Sequence, residues 1–562
     1  MSRLSIPALA VLLVVSAHGC AMVELAAVGD ARSLRDEPQR AVGRGEPTVL
    51  LVALDGVGRT VLYEMLARGE LPELRALLGG GERLELPHAY VDRTLLSTLP
   101  SSTLAAWATV FTGEPPAVHG VAGNEYFMRE TRRLAAPAPV SIESTDPVAQ
   151  TFTDDYVNRL LAVPTIYEQM RARHPSFSAW VSLSQIYRGA DRLLLTQPSL
   201  AIEAFGAVVA GAVGDDTNLA LYRHLDGEAL GTVIAQLDQR PSPPRMLTIY
   251  VVGTDLYEHT ASSGPEIAVR RYLTDVIEPL LADLRRALVA HHALDDRYVI
   301  VVSDHGHTAV MHDDAHALTA GDGPDEPPAV VRGAGFRLRP FQLEVAEPAD
   351  FDSVLAYGGA TAYVYVADRS TCPTVGTPCD WARPGRYEED ILPMAEAFYR
   401  ANAEGLHAPG MRGTLDMILV RRGRPLGQDA LPFDVYVGGG HTEALAAHLA
   451  AHPRTAYVAL ESRLRDLAVG PMGQHAGDVL LLARNGNEPS VENRYYFAAS
   501  LYQSWHGSPS RADSEIPLIV AHPSQATGVL ARRVRAALGA RPRQSDLARL
   551  IESLLYDDAA RP

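Results

Sequence analysis

Residues 48–56 read TVLLVALDG, an apolar run that ends in an aspartate and a glycine. A run without any charged side chain, followed directly by turn residues, is typical of a strand that is buried on both faces. Three further runs of this kind occur at residues 246–252, 298–302 and 479–483, and helical patterns separate them. This alternation predicts an α/β fold with a mostly parallel central sheet flanked by helices.

Two further segments carry proline at informative positions. Residues 516–521 read IPLIVA, and Pro517 near the start predicts an edge strand or the beginning of a strand. Residues 267–290 have the apolar spacing of an amphipathic helix, in which Pro279 predicts a kink. Both segments fit the flanks of the same α/β core.

Residues 322–471 differ in character from the α/β pattern on either side. They combine short β patterns, such as TAYVYVA and LDMILV, with a loop that is rich in proline and threonine. We therefore predict a catalytic core formed by residues 47–321 and 472–560, which an insertion or cap at residues 322–471 interrupts.

The charge composition disfavours several classes of protein. The 562 residues include 50 basic and 67 acidic side chains, a net charge of −17. This balance disfavours nucleic-acid binding, because phosphate backbones require basic patches. Every one of the 50 Lys and Arg residues is an arginine. Without lysine the chain cannot form a P-loop or a pyridoxal Schiff base.

The first 20 residues have the features of an export signal. A short basic start precedes the apolar run LAVLLVV at residues 9–15, which is too short to span a bilayer. Gly19-Cys20 resembles the end of a bacterial lipoprotein signal, so Cys20 either carries a lipid anchor or is cut off or left free. We predict a signal peptide at residues 1–20, a linker at residues 21–46 and no transmembrane helix in the mature chain. The protein would be periplasmic, anchored to a membrane as a lipoprotein, or secreted.

Two cysteines remain after Cys20, and they lie close together. Cys372 and Cys379 are the first and last residues of the turn-rich sequence CPTVGTPC. In an oxidising compartment such a pair is expected to form a local disulfide. A structural zinc site would need four ligands, and the chain has no second cysteine pair.

Residues with metal-binding side chains follow three of the predicted strands. In chain order they are Asp55, Asp255, His259, Asp304 and His305. Ligands of open α/β sheets bind at the carboxyl ends of the strands, so these side chains are expected to meet at one edge. An aspartate after a strand is commonly a helix cap. Three such endings instead favour a two-metal site, and carboxylates combined with imidazoles suit zinc.

The segment between the first two of these strands supplies hydroxyl groups. Residues 99–113 read LPSSTLAAWATVFTG, in which a Ser/Thr cluster precedes a helical pattern that ends before Gly113. One interpretation is a cluster of helix N-cap residues. The other is a nucleophile, because a hydroxyl at a helix N-terminus lies in a positive field that suits an incoming phosphate.

These motifs occur in an order that is similar to that of a known family. The chain has LDG at residues 54–56, PSST at 100–103, HG at 119–120, GN at 123–124 and SDHG at 303–306. This set resembles the alkaline phosphatase superfamily and, within it, the type I phosphodiesterase/nucleotide pyrophosphatase branch. The resemblance covers about residues 48–320 and 475–525.

The resemblance implies a catalytic nucleophile and a phosphate-binding residue. The nucleophile of that branch lies ten residues before the glycine of its TG motif, which is Thr103 in this chain. Its neighbours Ser101 and Ser102 are expected to be caps. Asn124 matches the family's donor to a phosphate oxygen.

The resemblance also implies a site for two zinc ions. One zinc would be held by Asp55, Asp304, His305 and the Thr103 oxygen. The other would be held by Asp255, His259 and a late histidine. His506 fits the family context of that last ligand best, ahead of His475 and His441. His307 is expected to lie outside the ligand set, next to a ligand or exposed.

The function implied is that of an exported metal-dependent hydrolase that cleaves phosphodiester or pyrophosphate bonds of a small phosphate-ester substrate. One departure from the family is Ala105-Ala106, where many members have Pro-Asn, and these positions shape the substrate pocket. Two alternatives remain open. One is a phosphomonoesterase or phosphonate hydrolase on the same core, and the other is a non-catalytic surface lipoprotein that binds ligands.

Overall fold

The computed structural model describes most of the chain. The described residues are 31–35, 42–43, 46–81, 84–142, 155–196, 198–209, 214–240, 242–345, 350–499 and 501–556. The predicted signal peptide and Cys20 lie outside the described residues, as does much of the predicted linker.

An eight-stranded sheet forms the centre of the molecule. In spatial order its strands are Ala31–Ser33, Arg192–Leu194, Ala179–Ser182, Met246–Val251, Thr48–Leu54, Arg297–Ser303, Leu518–Ala521 and Ala89–Asp92. The five strands from Arg192–Leu194 to Arg297–Ser303 are parallel, and the three outer pairings are antiparallel. The predicted α/β class with a mostly parallel sheet is therefore confirmed.

The innermost strands are buried along their whole length. Every residue of Thr48–Leu54 and Arg297–Ser303 is buried, as expected where helices cover both faces of a parallel sheet. In the ladder, Leu54 pairs with Val251 on one side and with Ser303 on the other. The carboxyl ends of these three strands therefore finish side by side.

Helices flank the central sheet. The α-helices of the described residues are Arg59–Arg68, Pro72–Leu77, Thr103–Thr112, Pro116–His119, Tyr156–Leu160, Ile166–Arg173, Pro198–Val209, Asp215–Gln239, Gly253–Thr260, Pro265–Tyr272, Glu278–Ala290, Pro327–Gly333, Leu392–Glu404, Leu445–Ala451, Leu460–Ala468, Arg511–Ser514, Thr527–Leu538 and Leu547–Tyr556. Within the described part of the chain, none of the helices has both the length and the apolar character needed to cross a bilayer.

The margins of the central sheet differ from the sequence expectation. Leu518–Ala521 lies between two other strands, so it is not an edge strand. Pro517 precedes its first residue, a position where the missing N–H is tolerated. Ala31–Ser33 forms an edge of the sheet, so this part of the predicted linker is paired with Arg192–Leu194.

The helical segment predicted at residues 267–290 is interrupted before its proline. It consists of Pro265–Tyr272, a π-helical turn at Leu273–Ile277, and Glu278–Ala290. Proline cannot donate to the carbonyl one turn earlier, and its ring crowds that carbonyl. The wider π turn before Pro279 accommodates the ring, so the expected irregularity takes this form.

A second, six-stranded antiparallel sheet lies outside the central one. In spatial order its strands are Ser353–Tyr357, Thr361–Val366, Val479–Ala483, Leu415–Val420, Asp434–Gly438 and His441–Glu443. We expected residues 479–483 in the central sheet, and this expectation is wrong. Val479–Ala483 pairs with Thr361–Val366 and Leu415–Val420 instead. An apolar run shows that a strand is buried but not which sheet it joins.

The loop between two strands of the second sheet carries a disulfide. Cys372 and Cys379 are bonded, with their Cα atoms 4.7 Å apart. Both cysteines are buried, and the Arg337 guanidinium donates to the Cys372 carbonyl at 3.1 Å. The local disulfide predicted from the spacing is therefore confirmed.

Candidate active site

The ends of two adjacent strands bring two carboxylates and an imidazole together. Asp55 follows Thr48–Leu54, and Asp304 and His305 follow Arg297–Ser303. His305 Nε2 lies 3.2 Å from Asp304 Oδ2 and 3.4 Å from Asp55 Oδ1. All three side chains are fully buried. The structure therefore brings these side chains together at one edge of the sheet, as expected from the sequence.

A short helix after the third strand brings the next two groups. Gly253–Thr260 carries Asp255 in its first turn and His259 in its last. Four residues apart on a helix, the two side chains share one face, and His259 Nε2 lies 3.5 Å from Asp255 Oδ1. Asp255 Oδ1 is also 3.9 Å from His305 Nε2, so the helix and the strand ends form one cluster.

The start of this helix is fixed by a buried carboxylate. Asp226 accepts from the Val252 and Gly253 N–H groups, each at 3.2 Å, and from the Tyr272 hydroxyl at 2.7 Å. Burial raises the pKa of Asp226 to about 7. These bonds satisfy donors that a helix N-terminus leaves free, so Asp226 holds the helix that carries Asp255.

Replacing Gly253 with alanine should destabilise the protein by about 1–3 kcal/mol, the usual cost of overpacking. A Cβ at this position would collide with the Tyr272 hydroxyl and the Asp226 carboxylate. Urea unfolding of the Gly253→Ala variant measures the loss. Gly231→Ala is the matched control, because its Cβ would meet no atom within 4 Å in the helix Asp215–Gln239. That change should stabilise by about 0.5–1 kcal/mol, and equal effects of both changes would contradict the steric argument.

His506 lies beside the cluster, far away in sequence. It follows the two-residue strand Ser504–Trp505, which pairs with Thr308–Ala309 next to the Asp304 loop. His506 Nε2 is 3.7 Å from Asp255 Oδ1. Its ring stacks on that of His305, with centroids 3.7 Å apart. His506 is thus the late histidine that lies next to Asp255.

The other two late histidines lie elsewhere. His475 Nδ1 donates to the Gly120 carbonyl at 2.6 Å, and its Nε2 lies 3.0 Å from Glu130 Oε1. His441 is exposed at the start of the strand His441–Glu443 in the second sheet. Among the described residues, neither histidine lies in a group of side chains that could hold a metal ion.

His307 lies next to Asp255, which is one of the two positions expected for it from the sequence. Its Nε2 lies 2.9 Å from Asp255 Oδ1, and its side chain is only 1% exposed. The signal that could have found it is the spacing in SDHGHT. Residues two apart in an extended segment point to the same side, so His305 and His307 can face one site.

The four imidazoles of the cluster are oriented in the same way. In each of His259, His305, His307 and His506, Nδ1 contacts an oxygen and Nε2 faces the carboxylates. The Nδ1 partners are, in that order, the Ser504 carbonyl at 2.8 Å, the Gly306 carbonyl at 3.2 Å, the Ser504 hydroxyl at 3.0 Å and the Ser101 carbonyl at 3.2 Å. Burial lowers the pKa of His259 to about 4 and that of His305 to about 3. Neutral rings whose Nδ1–H is donated to a carbonyl present the lone pair of Nε2.

The buried carboxylates crowd one another. Burial, followed by the Asp304 and Asp255 charges, raises the pKa of Asp55 well above its usual value. Burial raises the pKa of Asp304 to about 7. Burial also acts to raise the pKa of Asp255, but His259 and the other nearby imidazoles outweigh it, and the net shift is downward. Three carboxylates in so small a buried volume call for a cation between them.

The donor set fits divalent metal ions. Asp55 Oδ1 and Asp304 Oδ2 are buried and have no hydrogen-bond partner. The described residues contain three groups whose ligand atoms lie within 4.8 Å of one another: Asp55, Asp304 and His305; Asp255, His305 and His506; and Asp255, His259 and His307. Carboxylate oxygens and imidazole nitrogens that converge in this way suit zinc.

Thr103 lies at the edge of this cluster. It is the first residue of the helix Thr103–Thr112, and its Oγ1 is 3.2 Å from His305 Nε2. Thr103 is 8% exposed. Asn124 Oδ1 accepts from the Leu104 N–H at 3.2 Å, which leaves the amide NH₂ as the end of Asn124 that can donate. Thr103 and Asn124 therefore flank the same helix N-terminus.

The two serines before Thr103 have different surroundings. Ser102 occupies the N-cap position, but its side chain makes no capping hydrogen bond. Ser101 contacts the Ser508 carbonyl through its hydroxyl at 3.1 Å and accepts from His506 Nδ1 through its own carbonyl. The cap role expected for these serines is therefore not observed.

An arginine from residues 322–471 reaches the loop before Thr103. Arg463 is buried in the helix Leu460–Ala468. Its guanidinium donates to the Thr98 carbonyl at 2.7 Å, the Ser101 hydroxyl at 2.6 Å and the Ser514 hydroxyl at 2.8 Å. Arg463 thus fixes the loop that presents Thr103. The N–H groups that make these three bonds are not available to a substrate. Its long-range contacts have no signature in the sequence.

An open cleft of about 740 Å³ adjoins the Asp255 side of the cluster, and Glu258 and His307 are among the residues that line it. Four arginines also line the cleft, and each has partners: Arg59 and Arg511 pair with Glu515, Arg270 pairs with Glu64, and Arg494 donates to backbone carbonyls. Three of these arginines are therefore paired with carboxylates, and the fourth contacts backbone oxygens.

Comparisons with known proteins identify relatives of the chain. Residues 49–332 match the model of the family described as type I phosphodiesterase/nucleotide pyrophosphatase. No curated protein sequence matches the chain. Murine ectonucleotide pyrophosphatase/phosphodiesterase 5, solved as an inactive variant in complex with AMP, is 13% identical with a TM-score of 0.47 over 92% of this chain and 96% of that one. The human protein of the same name is 12% identical with a TM-score of 0.45 over the same shares. Because the family match spans half of the sequence, the chain belongs to the type I phosphodiesterase/nucleotide pyrophosphatase family of phosphoric ester hydrolases.

Proposed function

We propose that this protein is an exported hydrolase that cleaves phosphodiester or pyrophosphate bonds of small phosphate esters, with Thr103 as the nucleophile and two zinc ions as cofactors. The observation that carries the proposal is the position of Thr103. Its Oγ1 lies at a helix N-terminus and 3.2 Å from His305 Nε2, beside a buried cluster of carboxylates and imidazoles.

Two sets of side chains would hold the zinc ions. Asp55, Asp304 and His305 would hold one, and Asp255, His259 and His506 would hold the other. When bound, such ions lower the pKa of a coordinated hydroxyl and neutralise charge on phosphate oxygens. The unpartnered oxygens of Asp55 and Asp304 support the first set.

The phosphate would be bound by the start of the helix Thr103–Thr112 together with Asn124. The free N–H groups and the dipole of a helix N-terminus favour an anion. The Asn124 amide NH₂ would donate to a non-bridging phosphate oxygen. This arrangement would place phosphorus next to Thr103 Oγ1, in the orientation that displacement requires.

Thr103 Oγ1 would form a bond to phosphorus while the bond from phosphorus to the leaving oxygen breaks. The Thr103 proton passes to water, and the leaving oxygen departs with the electron pair of the broken bond and takes up a proton. Water then attacks the phosphothreonine, and the bond to Thr103 Oγ1 breaks and the hydroxyl is restored. The net reaction is hydrolysis of one phosphate ester bond.

Export is the part of the proposal that rests on the sequence alone. The signal peptide within residues 1–20 would be removed, and cleavage before Cys20 would leave that cysteine for a lipid anchor if the signal is of the lipoprotein type. The mature protein would then be periplasmic, membrane-anchored or secreted. The Cys372–Cys379 disulfide supports an oxidising compartment.

The domain organisation is likewise part of the proposal. Residues 47–321 and 472–560 would form the catalytic core, and residues 322–471 the inserted region. Val479–Ala483, in the second core segment, pairs with strands from within residues 322–471, so the two regions share the second sheet.

The enzyme should prefer diesters to monoesters. A monoester carries one more negative charge than a diester, and the donor next to Thr103 is the neutral Asn124, while Arg463 already serves backbone and hydroxyl oxygens. We expect kcat/KM for bis-p-nitrophenyl phosphate to exceed that for p-nitrophenyl phosphate at least about tenfold, or about 1.4 kcal/mol. Both substrates release p-nitrophenolate, so the comparison keeps the leaving group constant.

The same assay in the presence of zinc, extended to nucleotides and phosphonates, separates the alternatives. A tenfold preference for the monoester would favour the phosphomonoesterase function, and a preference for phosphonates the phosphonate hydrolase. A zinc-loaded protein that binds these compounds but turns over none of them would favour the ligand-binding lipoprotein.

A further inference from the structure

His307 is the imidazole closest to Asp255. Its Nε2 lies 2.9 Å from Asp255 Oδ1, compared with 3.5 Å for His259 Nε2 and 3.7 Å for His506 Nε2. The side chain is almost completely buried. A histidine with no role in the cluster would not need to be buried against a carboxylate.

The partners of Ser504 show which nitrogen of His307 donates to Ser504 and which faces Asp255. The Ser504 hydroxyl donates to the Glu258 carbonyl at 2.8 Å. The hydroxyl has only one proton, so its oxygen accepts from His307 Nδ1–H at 3.0 Å. His307 Nε2 is therefore the nitrogen that faces Asp255. The Ser504 carbonyl orients His259 in the same way.

His307 Nε2 and Asp255 Oδ1 thus face each other at 2.9 Å, close enough for one cation to contact both atoms. The same orientation, with Nδ1 bonded to an oxygen and Nε2 facing inward, is found in His259 and His506, the two histidines assigned to this zinc. Bonding of the outer nitrogen to an oxygen is typical of metal-ligating histidines.

The grouping of ligand atoms gives a second, independent argument. Among the three groups of possible ligand atoms in the described residues, two share no residue. One of these consists of Asp55, Asp304 and His305. The other consists of Asp255, His259 and His307. The remaining group, with His506, shares Asp255 with one and His305 with the other. Two ions can be held at the same time by the two separate groups, and the second of these contains His307.

We propose that His307 is a ligand of the metal ion held by Asp255 and His259. The inference rests on the proposed two-metal centre and adds an imidazole that the family resemblance does not supply. A carboxylate with His259, His307 and the adjacent His506 would make this subsite rich in nitrogen donors. Nitrogen donors favour zinc over magnesium, which prefers oxygen ligands.

The test measures metal binding by the full chain. Zinc affinities come from competition with a chromophoric chelator, and the visible spectrum of the cobalt-substituted protein reports the ligands directly. The variants are His307→Ala, His307→Gln and Ser504→Ala, the last of which removes the hydroxyl that orients His307 but keeps the carbonyl bonded to His259. His316→Ala is the matched control, because His316 lies nearby in sequence and pairs with Asp313 outside the cluster.

We expect wild type to bind two zinc ions and both His307 variants to bind one of them at least about tenfold more weakly, with a changed cobalt spectrum. Ser504→Ala should weaken the same ion to a smaller extent, and His316→Ala should match wild type. An unchanged cobalt spectrum in folded His307 variants would overturn the inference even if affinity falls, because His307 would then only hydrogen-bond to Asp255. A wild-type protein that binds no zinc would instead overturn the metal centre of the proposed function.

Discussion

Replacing Thr103 with alanine should lower kcat for a diester by about 10⁴-fold, or about 5.4 kcal/mol. The variant loses the oxygen that forms the bond to phosphorus, and the remaining groups can only orient water. The carboxylates and imidazoles stay in place, so both zinc ions should remain bound. Steady-state turnover of bis-p-nitrophenyl phosphate and zinc content, measured on the same preparation, check both parts.

The neighbouring residues provide the controls for this prediction. Thr103→Ser keeps a hydroxyl at the same position and should retain part of the activity. Ser102→Ala removes a hydroxyl that makes no capping bond at the N-cap position, so the rate should stay within a few-fold of wild type. If Ser102→Ala were inactive and Thr103→Ala active, the nucleophile would be Ser102 and the assignment of Thr103 would be wrong.

Removing the metal should abolish turnover, the second large effect that we expect. Asp55 Oδ1 and Asp304 Oδ2 have no hydrogen-bond partner in the described structure. Without a cation the buried carboxylates therefore repel one another, and no group activates Thr103. Dialysis against a chelator, followed by assay, measures the loss. Zinc should restore activity better than magnesium, because the cluster offers several imidazoles.

A metal-independent hydrolase would behave differently in the same experiment. Full activity after exhaustive chelation, with zinc shown to be absent by elemental analysis, would contradict the two-metal account. Restoration by magnesium alone would contradict the assignment of zinc while leaving a metal centre in place.

The part of the site at the strand ends could be predicted from the sequence. Apolar runs such as Thr48–Leu54 indicate buried parallel strands, and parallel strands bring their carboxyl ends to one edge. Asp55, Asp255 and Asp304 lie at or shortly after the ends of such runs, so their meeting could be expected from local pattern. The helical spacing of Asp255 and His259 adds a fourth group by the same kind of reasoning.

The groups from the C-terminal part of the chain could not be derived from local pattern. His506 depends on the two-residue strand Ser504–Trp505, which is too short to leave a periodic signal, and only the family resemblance indicated it. Arg463 reaches the Thr103 loop through tertiary packing of a helix from residues 322–471. Such contacts are set by how elements pack, and a sequence pattern describes only the elements themselves.

His307 and Val479–Ala483 show two further limits of the sequence pattern. The apolar run at residues 479–483 predicted a strand correctly. Its apolar pattern is equally compatible with the central sheet and with the second sheet, to which it belongs. For His307 the alternation with His305 carried a signal, but the family motif SDHG includes only the first histidine. The contact of His307 with Asp255 is a tertiary contact that the structure shows and the motif does not.

The most direct test of the account is to locate the metal ions. Diffraction data collected from crystals of the full chain above and below the zinc absorption edge give the position of each zinc from its anomalous signal. The account predicts two sites per chain, one between Asp55, Asp304 and His305 and one beside Asp255 and His259, with Thr103 Oγ1 next to the first. A single zinc, or zinc bound away from these residues in a protein that cleaves diesters, would contradict it.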